Sequence, residues 1–339
     1  MSENNDLQQQ LFKYIRQELP PHISLVDELS ELLELSVDSV YRRIRGEKLI
    51  SMSELKKICE HYRVSVDQFL HLENETLIFH APGLNVISQD LSEYMNKMHE
   101  YFRHFNSFQS KQIFYLCKDI PFWYFFLYPE IAAFKLFFWE RTVNNNPAFT
   151  SSRFSLEEHH FADCYKLGQQ ILELHNKMNS IELWNLESIH STINQIAYYK
   201  DAGVFRNEDE FDKVVSSFSI LLDHLEEQTK TGIKSLPGRG LSAGTIEFYV
   251  NELILGNNTI LLKLDDRKTA MVTYNILSYL STSEERFVTK TFDTFNSLLK
   301  RSTLISETGE KERNKFFNRL REKTGELKRS GSAVQYTGS

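Results

Sequence analysis

The sequence predicts a mainly α protein in three parts: an N-terminal helix-turn-helix domain, a helical middle region and a small α+β C-terminal region with an antiparallel sheet. Three observations carry this prediction. Residues 24–70 read as four short apolar-periodic segments, each opened by a serine. Residues 87–235 hold long stretches whose apolar side chains recur every three or four positions, the period of a helix with one buried face. Beyond residue 243, β-favouring residues dominate segments separated by Gly-Asn-Asn and Asp-Asp-Arg-Lys, which suit hairpins. The expected domains are 1–75, a linker at 76–86, a helical region at 87–235, the α+β module at 243–328 and a disordered tail at 329–339.

In the first domain, Ser24, Ser36, Ser51 and Ser65 stand at N-cap positions, with Asp27, Glu54 and Gln68 three residues on, where a capping-box partner belongs. Only Glu34, Leu35 and Ser36 separate the second helix of the expected motif from the first, too few for anything but a sharp turn. After the turn, Val40 and Ile44 are spaced to face the core, which directs Tyr41, Arg42 and Arg45 elsewhere. Residues 41–57 hold Arg42, Arg43, Arg45, Lys48, Lys56 and Lys57 against Glu47 and Glu54, a net of +4. Such a patch suits a phosphate backbone, although a charge cluster alone is more often an ordinary solvated helix face.

The segment LSVDSVYRRIRGEK, followed by SMSELKKICEHYRVSVDQFL, resembles the Cro/C1 (lambda-repressor-like, XRE) helix-turn-helix family over residues 10–75. The pattern is an apolar helix, a Ser-led recognition helix, a Gly followed by basic residues, and closing helices ending at Phe69 and Leu70. One departure stands in the recognition helix: the late apolar residue is Ile44, where the family's usual spacing puts it at the position of Arg43. The resemblance implies double-stranded DNA as partner, with the helix after the turn in the major groove. Val37, Asp38, Tyr41 and Arg42 then approach base edges, and Ser24, Ser39, Arg45 and Lys48 approach phosphates. Arg42 suits guanine, pairing with O6 and N7. Asp38 either accepts from a cytosine amino group or favours the helix N-terminus electrostatically. Tyr41 either stacks on a sugar or covers the turn.

Charge sets the terms of any such binding. The whole chain carries −7, and residues 1–78 hold nine Lys and Arg against fourteen Asp and Glu, a net of −5. Affinity for DNA must therefore come from the local patch, strengthened by a homodimer reading two half-sites. With 41% hydrophobic and 13% aromatic residues the chain can build a sizeable core. Cys59, Cys117 and Cys164 are odd in number and lack CxxC spacing; with no signal peptide this points to the reducing cytoplasm. The most apolar run, 120–139, is broken by Pro121, Pro129, Glu130 and Lys135, so it reads as buried helix and no membrane partner is expected.

In the middle region a helix is expected over 87–109, its stripe of Leu91, Met95, Met98, Phe102 and Phe105 serving either to pair protomers or to cover the chain's own core. The aromatics of 122–139 suit core packing or an effector pocket. A loop over 144–152 leads into three helices within 156–228, the first with a Ser155–Glu158 capping box. The helices spanning 189–225, with Gly203 at their turn, resemble a tetratricopeptide hairpin without its signature Trp, Ala and Pro positions, a likeness that implies a peptide-sensing region. His160 with Cys164, and His159 with Asp163, share helix faces, but two ligands per face are too few for a metal site, and no cofactor is expected.

Towards the C-terminus, SLPGRGLSAG reads as a Gly-rich loop without the phosphate-loop pattern. Strands over 245–254, 257–266 and 267–275 follow, then helices over 287–305 and 307–327. No GxSxG, Walker or HExxH motif appears, so a non-enzymatic reading is preferred. The sequence thus points to a DNA-binding transcription regulator whose C-terminal region senses a small-molecule or peptide effector or makes the dimer. Rival readings are a protein-interaction adaptor and an enzyme with an unrecognised C-terminal site.

Overall fold

The computed structural model describes residues 3–20, 23–62, 64, 77–81, 91–158, 161–253, 255–274 and 278–332. Two compact units divide the chain: the first is Met1–Phe79 with Glu284–Phe287, the second His80–Ser283 with Val288–Ser339.

The first unit is helical. Helices α1 (Glu3–Glu18), α2 (Leu25–Leu33), α3 (Val37–Ile44) and α4 (Met52–Tyr62) bury Leu11, Phe12, Ile15, Leu25, Leu29, Leu33, Val40, Ile58 and Val64 in one core. Each such aliphatic or aromatic side chain contributes about 1.5–3 kcal/mol by leaving water, and this burial supports α2, α3 and α4, which are individually too short to persist alone. Three of the four expected serine caps are made: Ser24 accepts from the Asp27 N–H, Ser36 from the Ser39 N–H and Ser51 from the Glu54 N–H. Ser51 and Glu54 complete a full capping box, because the Ser51 N–H donates back to Glu54 Oε2 at 2.7 Å. Ser65 and Gln68 lie outside the described residues. Helix α1 was legible from Leu11, Phe12 and Ile15 but was not among the expected elements.

Among the described residues, the second unit is built on a mixed sheet of eight strands: β1 (Lys111–Leu116), β2 (Asn179–Trp184), β3 (Ile233–Leu236), β4 (Gly240–Val250), β5 (Thr259–Leu264), β6 (Arg267–Thr273), β7 (Tyr279–Thr282) and β8 (Thr303–Leu304). The order is β3-β4-β2-β1-β5-β6-β7, with β8 beside β4. At its centre β1 pairs parallel to β2, with Phe114 opposite Ile181, and β2 parallel to β4, with Glu182 opposite Phe248. Parallel neighbours require crossovers, and helices supply them: α5 (Leu91–Asn106) precedes β1; a 3-10 stretch (Phe122–Leu127), α6 (Pro129–Phe138) and α7 (Ala162–His175) join β1 to β2; α8 (His190–Asp201) and α9 (Glu208–Thr231) lead from β2 towards β4. Tyr115 on one face of β1 meets Trp123 at 5.5 Å between ring centres. Phe114 on the other face meets Phe292 and Phe295 of α10 (Glu285–Leu299). The last helix, α11 (Glu310–Ser332), packs on α9 and sets Phe316 and Phe317 against Phe248.

This architecture corrects several expectations. The middle region is not purely helical, and it does not stand apart from the C-terminal module, because β1 and β2 fall inside it and share one sheet with β3–β7. The sheet is mixed, not antiparallel. KQIFYL and NSIELW are strands covered on both faces, so they present short apolar runs without the alternation that marks a half-exposed strand. SLPGRGLSAG is a β3–β4 hairpin, with Leu236 paired to Gly240. The helix expected over 287–305 ends at Leu299, after which Thr303 and Leu304 pair with β4. Helix α11 continues past residue 329 to Ser332, where a tail was expected. Ser155 Oγ accepts from the Glu157 N–H at 3.3 Å and from Arg206 at 3.4 Å, and the next helix opens at Ala162. The expected loop over 144–152 contains a single helical turn, Pro147–Thr150, capped by Asn146. Gly203 does stand at the turn between α8 and α9, with φ at 63°, but the pair serves a sheet crossover and not a stacked helical repeat.

Two open alternatives close. Leu91, Met95 and Phe102 of α5 are buried in their own unit's core, with Met98 and Phe105 packed against it. The aromatics from Phe122 to Trp139 are part of the same core; Trp123, Tyr124, Phe126, Phe134 and Phe137 are each 1% exposed or less. Among the described residues no helix is long and apolar enough to cross a membrane, and no three His, Cys, Asp or Glu side chains are grouped to hold a metal ion. His159 and His160 lie outside the described residues; Asp163 is exposed and Cys164 buried.

Candidate nucleic-acid interface

The turn before α3 is made by backbone hydrogen bonds and one left-handed residue. Glu34 has φ 56° and ψ 44°, its N–H reaches Glu31 O, and the Leu35 N–H reaches Ser30 O at 3.1 Å. This closes α2 in the manner of a Schellman turn, though with glutamate where glycine is commoner. Ser36 then returns to extended backbone and caps α3, and its hydroxyl also donates to Ser39 Oγ at 3.0 Å.

Within α3 the inward and outward faces separate cleanly. Val40 is 1% exposed and Ile44 packs against the core, as their spacing requires. Outward stand Val37, 49% exposed, Tyr41, 45% exposed, and the exposed Asp38 and Arg42. The four residues expected to meet bases therefore share one open face. Of the four expected to meet phosphates, Ser24, Arg45 and Lys48 are exposed and Ser39 is half-buried. Ser24 spends its hydroxyl oxygen on the Asp27 N–H, leaving its O–H able to donate outward.

Arg43 behaves differently from the other basic residues. It fills the core position where an apolar residue was expected, with its side chain only 5% exposed. One guanidinium nitrogen meets Glu54 Oε1 at 2.7 Å, and the other donates to Ser39 O at 3.1 Å. Burial alone would raise the Glu54 carboxyl, but the Ser51 N–H and the Arg43 guanidinium outweigh it and hold that carboxyl below its ordinary range. The pair removes one charge of each sign from the patch. The net of +4 over residues 41–57 is unchanged, now carried by Arg42, Arg45, Lys48, Lys56 and Lys57 against Glu47.

The exit from α3 is fixed from α1. Gly46, buried with φ at 75°, reverses the chain, and the Glu47 and Lys48 N–H groups both return to Arg42 O. Gln8 is 6% exposed; its amide nitrogen donates to Arg43 O at 2.7 Å and Lys48 O at 2.8 Å, and its oxygen accepts from the Ile50 N–H at 2.8 Å. Gln9 adds a bond to Arg45 O at 2.6 Å. The backbone carrying Arg45, Glu47 and Lys48 is thus held by side chains about 40 residues away in sequence, a contribution that the motif's own segment could not reveal.

Beside α3 lies a groove of about 600 Å³, lined by Ser24, Tyr41, Ile44 and, from α1, Phe12, Lys13 and Arg16. Arg16 donates to Ile23 O, and among the described residues neither Lys13 nor Arg16 is ion-paired to a carboxylate. These two cations border the face that holds Ser24 and Tyr41; their place on α1 put them outside the stretch in which basic residues were sought. Arg42 and Arg45, by contrast, converge on Glu47. Arg45 Nε lies 2.6 Å from Oε1, its second nitrogen 3.1 Å from Oε2, and Arg42 Nε 3.7 Å from Oε2.

No curated protein and no solved structure matches the chain. Residues 14–96, which take in α2, α3, α4 and the start of α5, match the BetR domain, a helix-turn-helix type of DNA-binding domain.

Proposed function

We propose that this protein is a sequence-specific transcription regulator of the Cro/C1 kind. It binds double-stranded DNA as a homodimer in the cytoplasm, with the second unit as its effector-sensing or dimer-forming part. The observation that carries this reading is the open face of α3: Val37, Asp38, Tyr41 and Arg42 stand exposed on a short helix after a three-residue turn, inside the stretch that matches the BetR domain. An α-helix of this size fits the major groove, where Arg42 reads guanine bidentately and Tyr41 covers an adjacent sugar. Ser24, Ser39, Arg45 and Lys48 set the register on phosphates, and Lys13 and Arg16 extend that set along the neighbouring groove.

An effector that prefers one arrangement of the dimer shifts the separation of the two recognition helices, and only one separation matches half-sites about a helical turn apart. The reading predicts that full-length protein enriches an inverted-repeat sequence from genomic fragments and protects both halves from nuclease cleavage. Recovery of unrelated fragments only, with no protected site at low salt, would overturn it.

A further inference from the structure

Glu47 sits against the guanidinium groups of Arg45 and Arg42. Its carboxylate receives two parallel hydrogen bonds from Arg45, at 2.6 and 3.1 Å, and lies 3.7 Å from Arg42 Nε. A guanidinium presents the same fork to a carboxylate as to a phosphate, so Glu47 and a phosphate compete for that edge of Arg45. The backbone that presents Glu47 is held in place by the Gly46 reversal, by the Glu47 N–H on Arg42 O at 2.8 Å and by the Gln8 clamp on Arg43 O and Lys48 O. Both partners are about half exposed, so the pair stands on the open face next to α3. Two of the cations that the proposed function assigns to DNA are therefore engaged before DNA arrives.

We propose that Glu47 is a built-in competitor for DNA phosphate. Resting on the DNA-binding reading above, it holds Arg45 and Arg42 in an internal ion pair that must open for the backbone to dock. The competitor weakens binding to any duplex, because phosphate contacts carry no sequence information. Base contacts are made in addition, so specific binding survives at a lowered affinity while non-specific occupancy falls with it. In a unit whose net charge is already negative, the competitor lowers the reward for coating DNA at random.

The test compares full-length wild type with Glu47→Gln, Arg45→Ala, the double variant of the two, and Glu31→Gln as a charge-matched control on the exposed surface of α2. Binding is measured over a range of salt on a random-sequence duplex and on the fragment that the wild type enriches. Glu47→Gln should bind the random duplex roughly three- to tenfold more tightly at low salt and steepen its log-affinity against log-salt slope by about one. The gain should be of similar size on the enriched fragment and largely vanish in the Arg45→Ala background, and Glu31→Gln should move neither duplex's affinity. Equal or weaker binding by Glu47→Gln, while the wild type binds, would overturn the competition and leave the DNA reading standing. A gain that persists in full without Arg45, or that Glu31→Gln reproduces, would reduce it to net charge. If neither wild type nor Glu47→Gln binds either duplex at low salt, the DNA reading fails and the competition with it.

Discussion

The two units place their charges in opposite ways. In the first unit the ionic chemistry stands on the surface: apart from Arg43, the arginines and lysines around α3 are exposed beside an apolar core of modest size. In the second unit charge is taken inside. The Lys234 ammonium donates to His175 Nε2 at 3.1 Å, His175 O at 3.2 Å and Met178 O at 2.8 Å. Glu182 accepts from Tyr124 at 2.6 Å and from the Trp184 indole at 2.9 Å, all within the core. Lys135 is likewise buried, bonded to Gln195 Oε1 at 2.6 Å with its ammonium 4.5 Å from the centre of the Phe125 ring. Exposed charges can be exchanged for a partner at small cost, whereas buried ones are fixed by their hydrogen bonds. The first arrangement suits recognition and the second suits a unique packing.

The largest effect should come from breaking the buried arrangement. Lys234→Met removes the ammonium donor from His175 Nε2, Met178 O and His175 O, the last of which keeps the Met178 N–H, and deprives Glu182 of its nearby cation, which should cost about 3–5 kcal/mol. All three tryptophans, Trp123, Trp139 and Trp184, belong to the second unit, so urea denaturation followed by tryptophan emission reads that unit specifically. A loss below about 1 kcal/mol would show that the ammonium is dispensable. Next comes the exception in the first unit. Arg43→Ala should cost about 1.5–3 kcal/mol by stranding Glu54, with DNA affinity per folded molecule little changed, as amide exchange in α3 and binding titrations would show.

Arg42→Ala should behave in the reverse way. Stability should stay within about 0.5 kcal/mol of wild type, while about 1–3 kcal/mol of discrimination at one base pair disappears; selection on a randomised site reads this directly. If Arg42→Ala and Arg43→Ala had the same profile, the separation of inward and outward faces on α3 would be wrong.

The smallest effect distinguishes the units by pH. Burial first, then the Lys234 charge, pushes the His175 imidazole well below its ordinary value. The unfolded chain therefore binds a proton near pH 6.5 that the folded one does not, and the second unit should lose stability as pH falls below about 6.5. Burial also lowers Lys234 to about 7, so deprotonation favours the folded state and stability should rise further from pH 7 upward. Glu182, raised by burial, acts in the opposite sense above the ordinary carboxylate range. In the first unit Glu54 is depressed, and its contribution is retained until pH falls below about 4.5. Tryptophan-detected melting should accordingly shift between pH 5 and 7 by at most about 1.4 kcal/mol per pH unit for one proton, and amide exchange in α3 should not.

What could be read beforehand follows the same division. The caps at Ser24, Ser36 and Ser51, the three-residue turn and the outward set on α3 all depend on contacts within a few residues, so local pattern contains them. Arg43 in the core, and Gln8 holding the exit turn, depend on partners 11 and 35 residues away, and spacing within the motif is silent about them. In the second unit, KQIFYL and NSIELW lie 68 residues apart yet pair directly, Gln112 to Asn179 and onward. Nothing in either hexapeptide distinguishes a doubly covered strand from a turn or two of buried helix.

The central claim is that the exposed basic face of α3 binds DNA, and the most direct test is a binding titration of the full-length protein on its enriched fragment at two salt concentrations, beside an Arg42→Ala, Arg45→Ala variant. The account predicts tight binding by the wild type that weakens steeply with salt and is lost in the variant while the fold is retained. Equal binding by the two proteins, or none by the wild type even at low salt, would contradict it.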